Sequence, residues 1–196
     1  QRVDKISSIN EVRDSIDQRL INWILAAGFD PITVPNTIHN FDKLQNWINL
    51  IKPDGLLLSG GNDIGDSLNR DTTEKHLLNW AINYKKPVYG ICRGMQFLAI
   101  NHGVNLIKVD NHVNKIHKVS FFGKIKKVNS FHNFSISRIP KNFKVISKSE
   151  DGMIESIEHN FLPIIGVMWH PEREKKFDIH DLEIIKKLFS KSENVK

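Results

Sequence analysis

Apolar residues in the first half of the chain recur in two alternating rhythms. In RDSIDQRLINWILAAG (13–28), Ile16, Leu20, Trp23, Ile24 and Ala27 fall on one helical stripe, and Gly28 suits the stop. FDKLQNWINLI (41–51) repeats that rhythm, with Leu44, Trp47, Ile48 and Ile51 facing inward. TTEKHLLNWAINY (72–84) predicts a third helix, capped by Asp71 or Thr72. Between these stripes lie short apolar runs with no helical period. DPITVP (30–35) predicts a short strand. DGLLLS (54–59) is continuously apolar and ends at Gly60-Gly61, which predicts a central strand covered on both faces. PVYGI (87–91) predicts another buried strand, running through Cys92 into the helix GMQFLAINHG (94–103). Trp23, Trp47 and Trp80 sit at helical core spacing and are expected to pack.

The second half changes character. HKVSFF (117–122), FKVISKS (143–149) and GMIESIEH (152–159) predict shorter strands, with EDG (150–152) as a hairpin turn. PIIGVMW (163–169) predicts a further buried strand and DIHDLEIIKKLFSK (178–191) a closing amphipathic helix. Strands alternating with helices imply a parallel sheet covered on both faces, so an open α/β sheet with antiparallel additions is expected. No repeat, low-complexity tract or Pro/Gly-rich linker interrupts the chain, and residues 1–196 are expected to form one domain.

Composition narrows the function classes. No apolar run is long enough to span a bilayer and no signal-peptide pattern opens the chain. The one cysteine cannot form an internal disulfide, and a reducing, cytoplasmic setting is expected. The formal net charge is +6, with lysines gathered in NKIHKVSFFGKIKKV (114–128). They are either a solvated face or an attraction for an anionic, phosphate-bearing substrate. No nucleic-acid-binding motif accompanies them.

Three segments at strand ends carry candidate chemistry: LLLSGGND, VYGICRG and GVMWHPE. Ligands of open α/β sheets bind at the carboxyl ends of strands. A strand followed by Gly-x-Cys-x-Gly and a helix is the pattern of a nucleophile elbow, with Cys92 raised above the sheet. At a helix N-terminus the dipole favours the thiolate, so a lowered Cys92 pKa is expected. The backbone N–H of Arg93 can face a developing oxyanion, and Gly60 or Gly61 is the expected second donor. His170 and Glu172 lie two apart after a strand, on one face, as a base and the group that orients it. Asp63 is a loop cap or a substrate contact. Among nine histidines, His112, His117 and His132 have no carboxylate-rich or cysteine-rich segment beside them, so no metal and no cofactor is expected. Trp169 is expected to shape the pocket beside His170.

GGND, GICRGMQ, NSFH and GVMWHPE together resemble the class I glutamine amidotransferase-like proteins, and more narrowly the γ-glutamyl hydrolase branch, peptidase family C26. The resemblance runs over nearly the whole chain. It implies a flavodoxin-like, open, mostly parallel sheet with helices on both faces and short antiparallel strands. It implies a Cys92–His170–Glu172 triad, a γ-glutamyl thioester and release of glutamate. It also assigns Gln96 to the glutamyl moiety, and Ser130, Phe131 and His132 to the glutamate α-amino and α-carboxylate groups. Two departures stand out. Phe134 replaces a glutamine common in the family, and the family's first strand is expected to be missing before Gln1. Cys-Arg-Gly, with Arg93 after the nucleophile, resembles hydrolases of γ-glutamyl amines more than ammonia-supplying subunits. The resemblance further implies, as the expected substrate, a small γ-glutamyl amide with a nucleotide-linked amine, whose charge the lysines or Arg93 would balance. The alternatives are aminobutyrate or polyamine amides, a silent binding module, or a glutaminase subunit. No nucleic acid or membrane partner is expected, and the chain is expected to act as a monomer or homodimer.

Overall fold

The computed structural model describes residues 1–190. Its centre is a five-stranded sheet of β3 (Leu56–Leu58), β4 (Val88–Ile91), β11 (Ile164–Val167), β10 (Ile154–His159) and β9 (Phe143–Lys148), in that spatial order. β3, β4 and β11 run parallel; β10 and β9 are added antiparallel. Helices α2 (Phe41–Ile51), α3 (Leu68–Asn83) and α4 (Arg93–Asn101) cover one face. The opposite face carries α1 (Gln18–Ala26) and α5 (Ile179–Ser190). Alternation along the strands sorts the core accordingly. Val88 and Ile164 pack with Leu44, Leu77 and Leu98, whereas Tyr89, Ile91, Ile165 and Val167 pack with Trp23, Ile185 and Leu188. Trp23 is wholly buried, and Trp47 and Trp80 lie partly buried on the α2–α3 side. No helix among the described residues is long and apolar enough to cross a membrane. The closing helix is described over Ile179–Ser190; Lys191 of its expected range lies outside the described residues.

Four expectations about elements change. First, α1 begins at Gln18 rather than near Arg13, because Glu11–Ser15 form β2, paired antiparallel with β1 (Arg2–Ile6). Both strands are polar and largely exposed, so no apolar alternation betrays them. Asp17 then caps the helix by accepting from the Arg19 N–H at 2.9 Å. Second, DPITVP forms no strand. Its residues line a cavity of about 480 Å³ along the outer edge of β3, and Pro31 and Pro35 each lack the N–H a ladder would use. Third, α3 starts four residues early, after Ser67, and Asp71 does not cap it. Its carboxylate instead accepts from Arg93 and from the Gly65 N–H. Fourth, two small antiparallel sheets stand apart from the central one: β6 (Val113–Phe121) and β7 (Lys124–Phe131) form a hairpin, and β5 (Leu106–Lys108) pairs with β8 (Phe134–Ile136) at its base. The EDG turn forms as expected, with Gly152 at φ +88° and its N–H donating to the Ser149 carbonyl at 2.9 Å.

Candidate active site

Cys92 lies one residue beyond β4, at φ +49° and ψ −103°. A side-chain-bearing residue adopts this left-handed region only at a cost of about 1–3 kcal/mol, so the surroundings must impose it. Two glycines do so. A Cβ on Gly90 would lie 2.8–2.9 Å from backbone atoms of Gly94 and Met95, and a Cβ on Gly94 would lie 2.1 Å from the Leu58 carbonyl oxygen. Their bareness lets α4 fold back onto β4 and β3 within one residue. The Cys92 N–H donates to the Val167 carbonyl at 2.7 Å, which ties the elbow to β11.

The thiol itself corrects an expectation. Burial pushes Cys92 up to about 12, and the Arg93 N–H and the nearby Arg173 charge offset only part of this. The helix N-terminus does not by itself yield a resting thiolate.

His170, the expected base, follows β11. Its Nδ1–H donates to Glu172 Oε1 at 2.7 Å, and both side chains are buried. The backbone of His170 is clamped by Asn129, whose Oδ1 accepts from the His170 N–H at 2.9 Å and whose Nδ2 donates to the His170 carbonyl at 2.8 Å. The imidazole lies against Gly60, where a Cβ would come within 2.7 Å of Cε1. Gly60 therefore has to be glycine for the ring to sit beside this loop. Trp169, expected to shape the pocket, packs edge-on against Phe121 at 4.8 Å. It lines a cavity of about 450 Å³ with Lys126, Lys127 and Lys176.

The Arg93 side chain also corrects an expectation. It does not stand open to balance a phosphate charge. It is buried and bonded to both Glu74 and Asp71. Arg70 donates from Nε to the other Glu74 oxygen at 2.7 Å and from Nη2 to the Ser59 and Gly60 carbonyls at 3.0 Å each. Burial alone would raise Glu74; the two guanidiniums more than offset it and hold its pKa below the ordinary value. One carboxylate thus couples the elbow to the Gly60 loop. Lys115, Lys118, Lys124 and Lys127 form a solvated face, while Lys126 pairs with Asp181. Asp63 belongs to its own loop, where its N–H donates to Asp66 at 3.1 Å.

Of the residues assigned to glutamate, Gln96 is buried one turn along α4 and donates to the Phe134 carbonyl at 2.8 Å. The Ser130 hydroxyl donates to the His112 carbonyl at 2.6 Å, and the His132 ring is likewise turned inward. Phe131 alone of that trio shows its side chain, with its ring edge-on to His170 at 6.0 Å. Arg173 stacks over Phe131 at 4.8 Å and is 30% exposed, a cation at the site that sequence reasoning passed over although it directly follows Glu172. Asn129 was legible only as the first letter of NSFH.

Residues 9–191 match the family described as Glutamine amidotransferase class-I. The chain is 34% identical over 178 residues to the γ-glutamyl-CDP-amidate hydrolase of Campylobacter jejuni subsp. jejuni serotype O:2, covering 88% of this chain and 84% of that one. It is 30% identical over 154 residues to a glutamine-hydrolysing GMP synthase subunit of Pyrococcus abyssi, covering 74% and 77%. A crystal structure of a putative GMP synthase subunit from Thermoplasma acidophilum superposes with a TM-score of 0.72 at 25% identity, over 89% of this chain and 87% of that one. With the elbow, the Gly-Gly loop and the His-Pro-Glu segment at adjacent strand ends, these likenesses place the chain in the class I glutamine amidotransferase family.

Proposed function

We propose that this chain hydrolyses a γ-glutamyl amide through a covalent thioester on Cys92. The observation that carries the reading is the oriented His170–Glu172 pair beside an elbow whose cysteine is a buried, neutral thiol. Glu172 keeps the His170 proton on Nδ1, so Nε2 bears the lone pair. Nε2 takes the Cys92 proton as sulfur attacks the γ-carbonyl carbon. The carbonyl π electrons move to oxygen, where the N–H groups of Arg93 and of Gly60 or Gly61 stabilise the negative charge. Collapse breaks the C–N bond, and the imidazolium gives its proton to the departing amine. Water, deprotonated by His170, then attacks the thioester and releases glutamate and the thiol. Gln96 and the backbone of residues 130–132 hold the glutamyl group, with Phe131 as its apolar wall.

The preferred substrate is γ-glutamyl-CDP-amidate, giving glutamate and cytidine diphosphoramidate for the phosphoramidate decoration of capsular polysaccharide. Its support is the likeness to the Campylobacter hydrolase over most of both chains. Arg173, not Arg93, is the cation positioned to meet an anionic leaving group. The test is a panel of γ-glutamyl amines: the nucleotide-linked compound, aminobutyrate and polyamine amides, and glutamine. The nucleotide-linked amide is expected to give the highest kcat/KM. Glutamine as the best substrate, with activity rising on addition of a synthase, would replace this reading with an ammonia-supplying subunit. Cys92→Ala is expected to lower kcat by about four orders of magnitude or more with an unchanged circular dichroism spectrum. Retained turnover would remove Cys92 from the mechanism.

A further inference from the structure

On the inner side of the Ser130–His132 segment, folding gathers titratable side chains that the proposed reaction does not use. His112 precedes β6, His117 lies within it, His132 follows β7, and Glu155 lies in β10. His112, His132 and Glu155 are almost wholly buried. The outer nitrogens of two rings have acceptors: Asp151 Oδ2 lies 2.8 Å from His112 Nε2, and the Phe134 carbonyl lies 3.0 Å from His132 Nδ1. These acceptors hold the ring protons on the outer side, so in neutral rings the inner atoms, His112 Nδ1 and His132 Nε2, carry lone pairs. The inner nitrogens are 3.3 Å apart. They stand 3.5 Å and 3.7 Å from Glu155 Oε1. Both carboxylate oxygens of Glu155, and His117 Nε2, are buried without a hydrogen-bond partner. His112, His117 and Glu155 each offer a ligand atom, all within 4.8 Å of one another.

Lone pairs converging in this way repel unless a cation lies among them. A proton joins two of the atoms and leaves the rest unsatisfied. An ion bound tetrahedrally at about 2.0–2.1 Å sets its ligand atoms roughly 3.3 Å apart, close to the 3.3, 3.5 and 3.7 Å among His112 Nδ1, His132 Nε2 and Glu155 Oε1, with His117 in reach of His112 and Glu155. A carboxylate and a backbone carbonyl behind the histidines are the partners that fix the tautomer of metal-bound imidazole. We propose that His112, His132 and Glu155, with His117 as the fourth ligand, bind one divalent ion of the zinc class. Three nitrogens and one carboxylate oxygen suit Zn²⁺ rather than the all-oxygen sets of Ca²⁺ or Mg²⁺. The site ties the start of β6 to the end of β7 and to β10. The Glu155 carbonyl accepts from the Met168 N–H at 2.8 Å, two residues before His170. The ion is thus a positioning element behind the substrate wall, and its binding does not depend on which amide the enzyme cleaves.

The test uses tag-free, full-length chain, equilibrated with Zn²⁺, dialysed and analysed for metal by mass spectrometry. About one zinc per chain is expected, falling by roughly tenfold in His112→Ala, His117→Ala and Glu155→Gln. Cys92→Ser is expected to keep the ion; its loss there would put the metal at the nucleophile and overturn the site. Zinc-stripped wild type is expected to take up Co²⁺ with the intense visible absorption of a tetrahedral ion. This measurement decides the matter even if the variants fail to fold. A wild-type chain that retains no zinc, an octahedral Co²⁺ spectrum, or variants that keep the ion would each overturn the proposal.

Discussion

Asp71, Glu74, Arg70 and Arg93 set two carboxylates against two guanidiniums behind Cys92, and Glu74 gives one oxygen to each arginine. On the inner side of the Ser130–His132 segment, Glu155 faces His112 and His132 at 3.5 Å and 3.7 Å with no N–H directed at it. Both clusters are largely buried, Asp71 being the partly exposed member of the first; what separates them is pairing. The first closes on itself with protein groups alone and so can hold the elbow and the Gly60 loop in register. The second reaches the same completeness only with a cation from outside. A buried charged cluster is therefore informative through its unmatched atoms rather than its depth.

The largest effect in this comparison comes from opening the closed network. Glu74→Ala leaves Arg70 and Arg93 buried without their shared partner and is expected to lose about 3–5 kcal/mol in urea unfolding. An unaffected midpoint would mean that the two guanidiniums find other partners. Arg93→Lys keeps the charge but cannot reach Glu74 and Asp71 together, and is expected to lose about 1–2 kcal/mol. The loss should shrink sharply when measured in a Glu74→Ala background, as a double-mutant cycle. A smaller effect appears with acid. Glu74 has its folded pKa held below the ordinary value of 4.5, so its contribution is present above that pH and is lost as pH falls through the lowered value. Wild type should therefore lose stability more steeply below about pH 4.5 than Glu74→Gln does. The least effect is expected from Glu155→Gln in zinc-stripped protein, below about 1 kcal/mol, because the amide removes a charge that no donor was satisfying. If Glu155→Gln costs as much as Glu74→Ala without metal, the two clusters are paired alike and the contrast fails.

Much of the site was legible because its chemistry sits at strand ends that announce themselves. Cys92, His170 and Gly60 each follow an apolar run, and the glycines at 90 and 94 are needed for the close approach of β3, β4 and α4. The parallel core was legible for the same reason: β3, β4 and β11 are continuous apolar runs. What escaped either carries no apolar face or depends on pairing between distant segments. β1 and β2 carry no buried face, and Glu155 reads as one charge inside an ordinary strand until the fold lays it beside histidines from two other segments. The destination of the Arg93 side chain was hidden likewise, since Asp71 and Glu74 lie about twenty residues upstream. The expected thiolate failed because burial outweighs the Arg93 N–H and the Arg173 charge at Cys92.

Arg70 has a consequence for the direction in which the Gly60 loop points. Its Nη2 holds the carbonyls of Ser59 and Gly60. In a trans peptide the C=O and the following N–H lie in one plane and point opposite ways. The amides of Gly60 and Gly61 are therefore turned away from Arg70, and rotating either plane would break a charge-assisted hydrogen bond in a buried setting. Glycine backbones are otherwise free to flip. Here a distant cation acts as a latch on two peptide planes, giving the loop a fixed polarity before any substrate arrives.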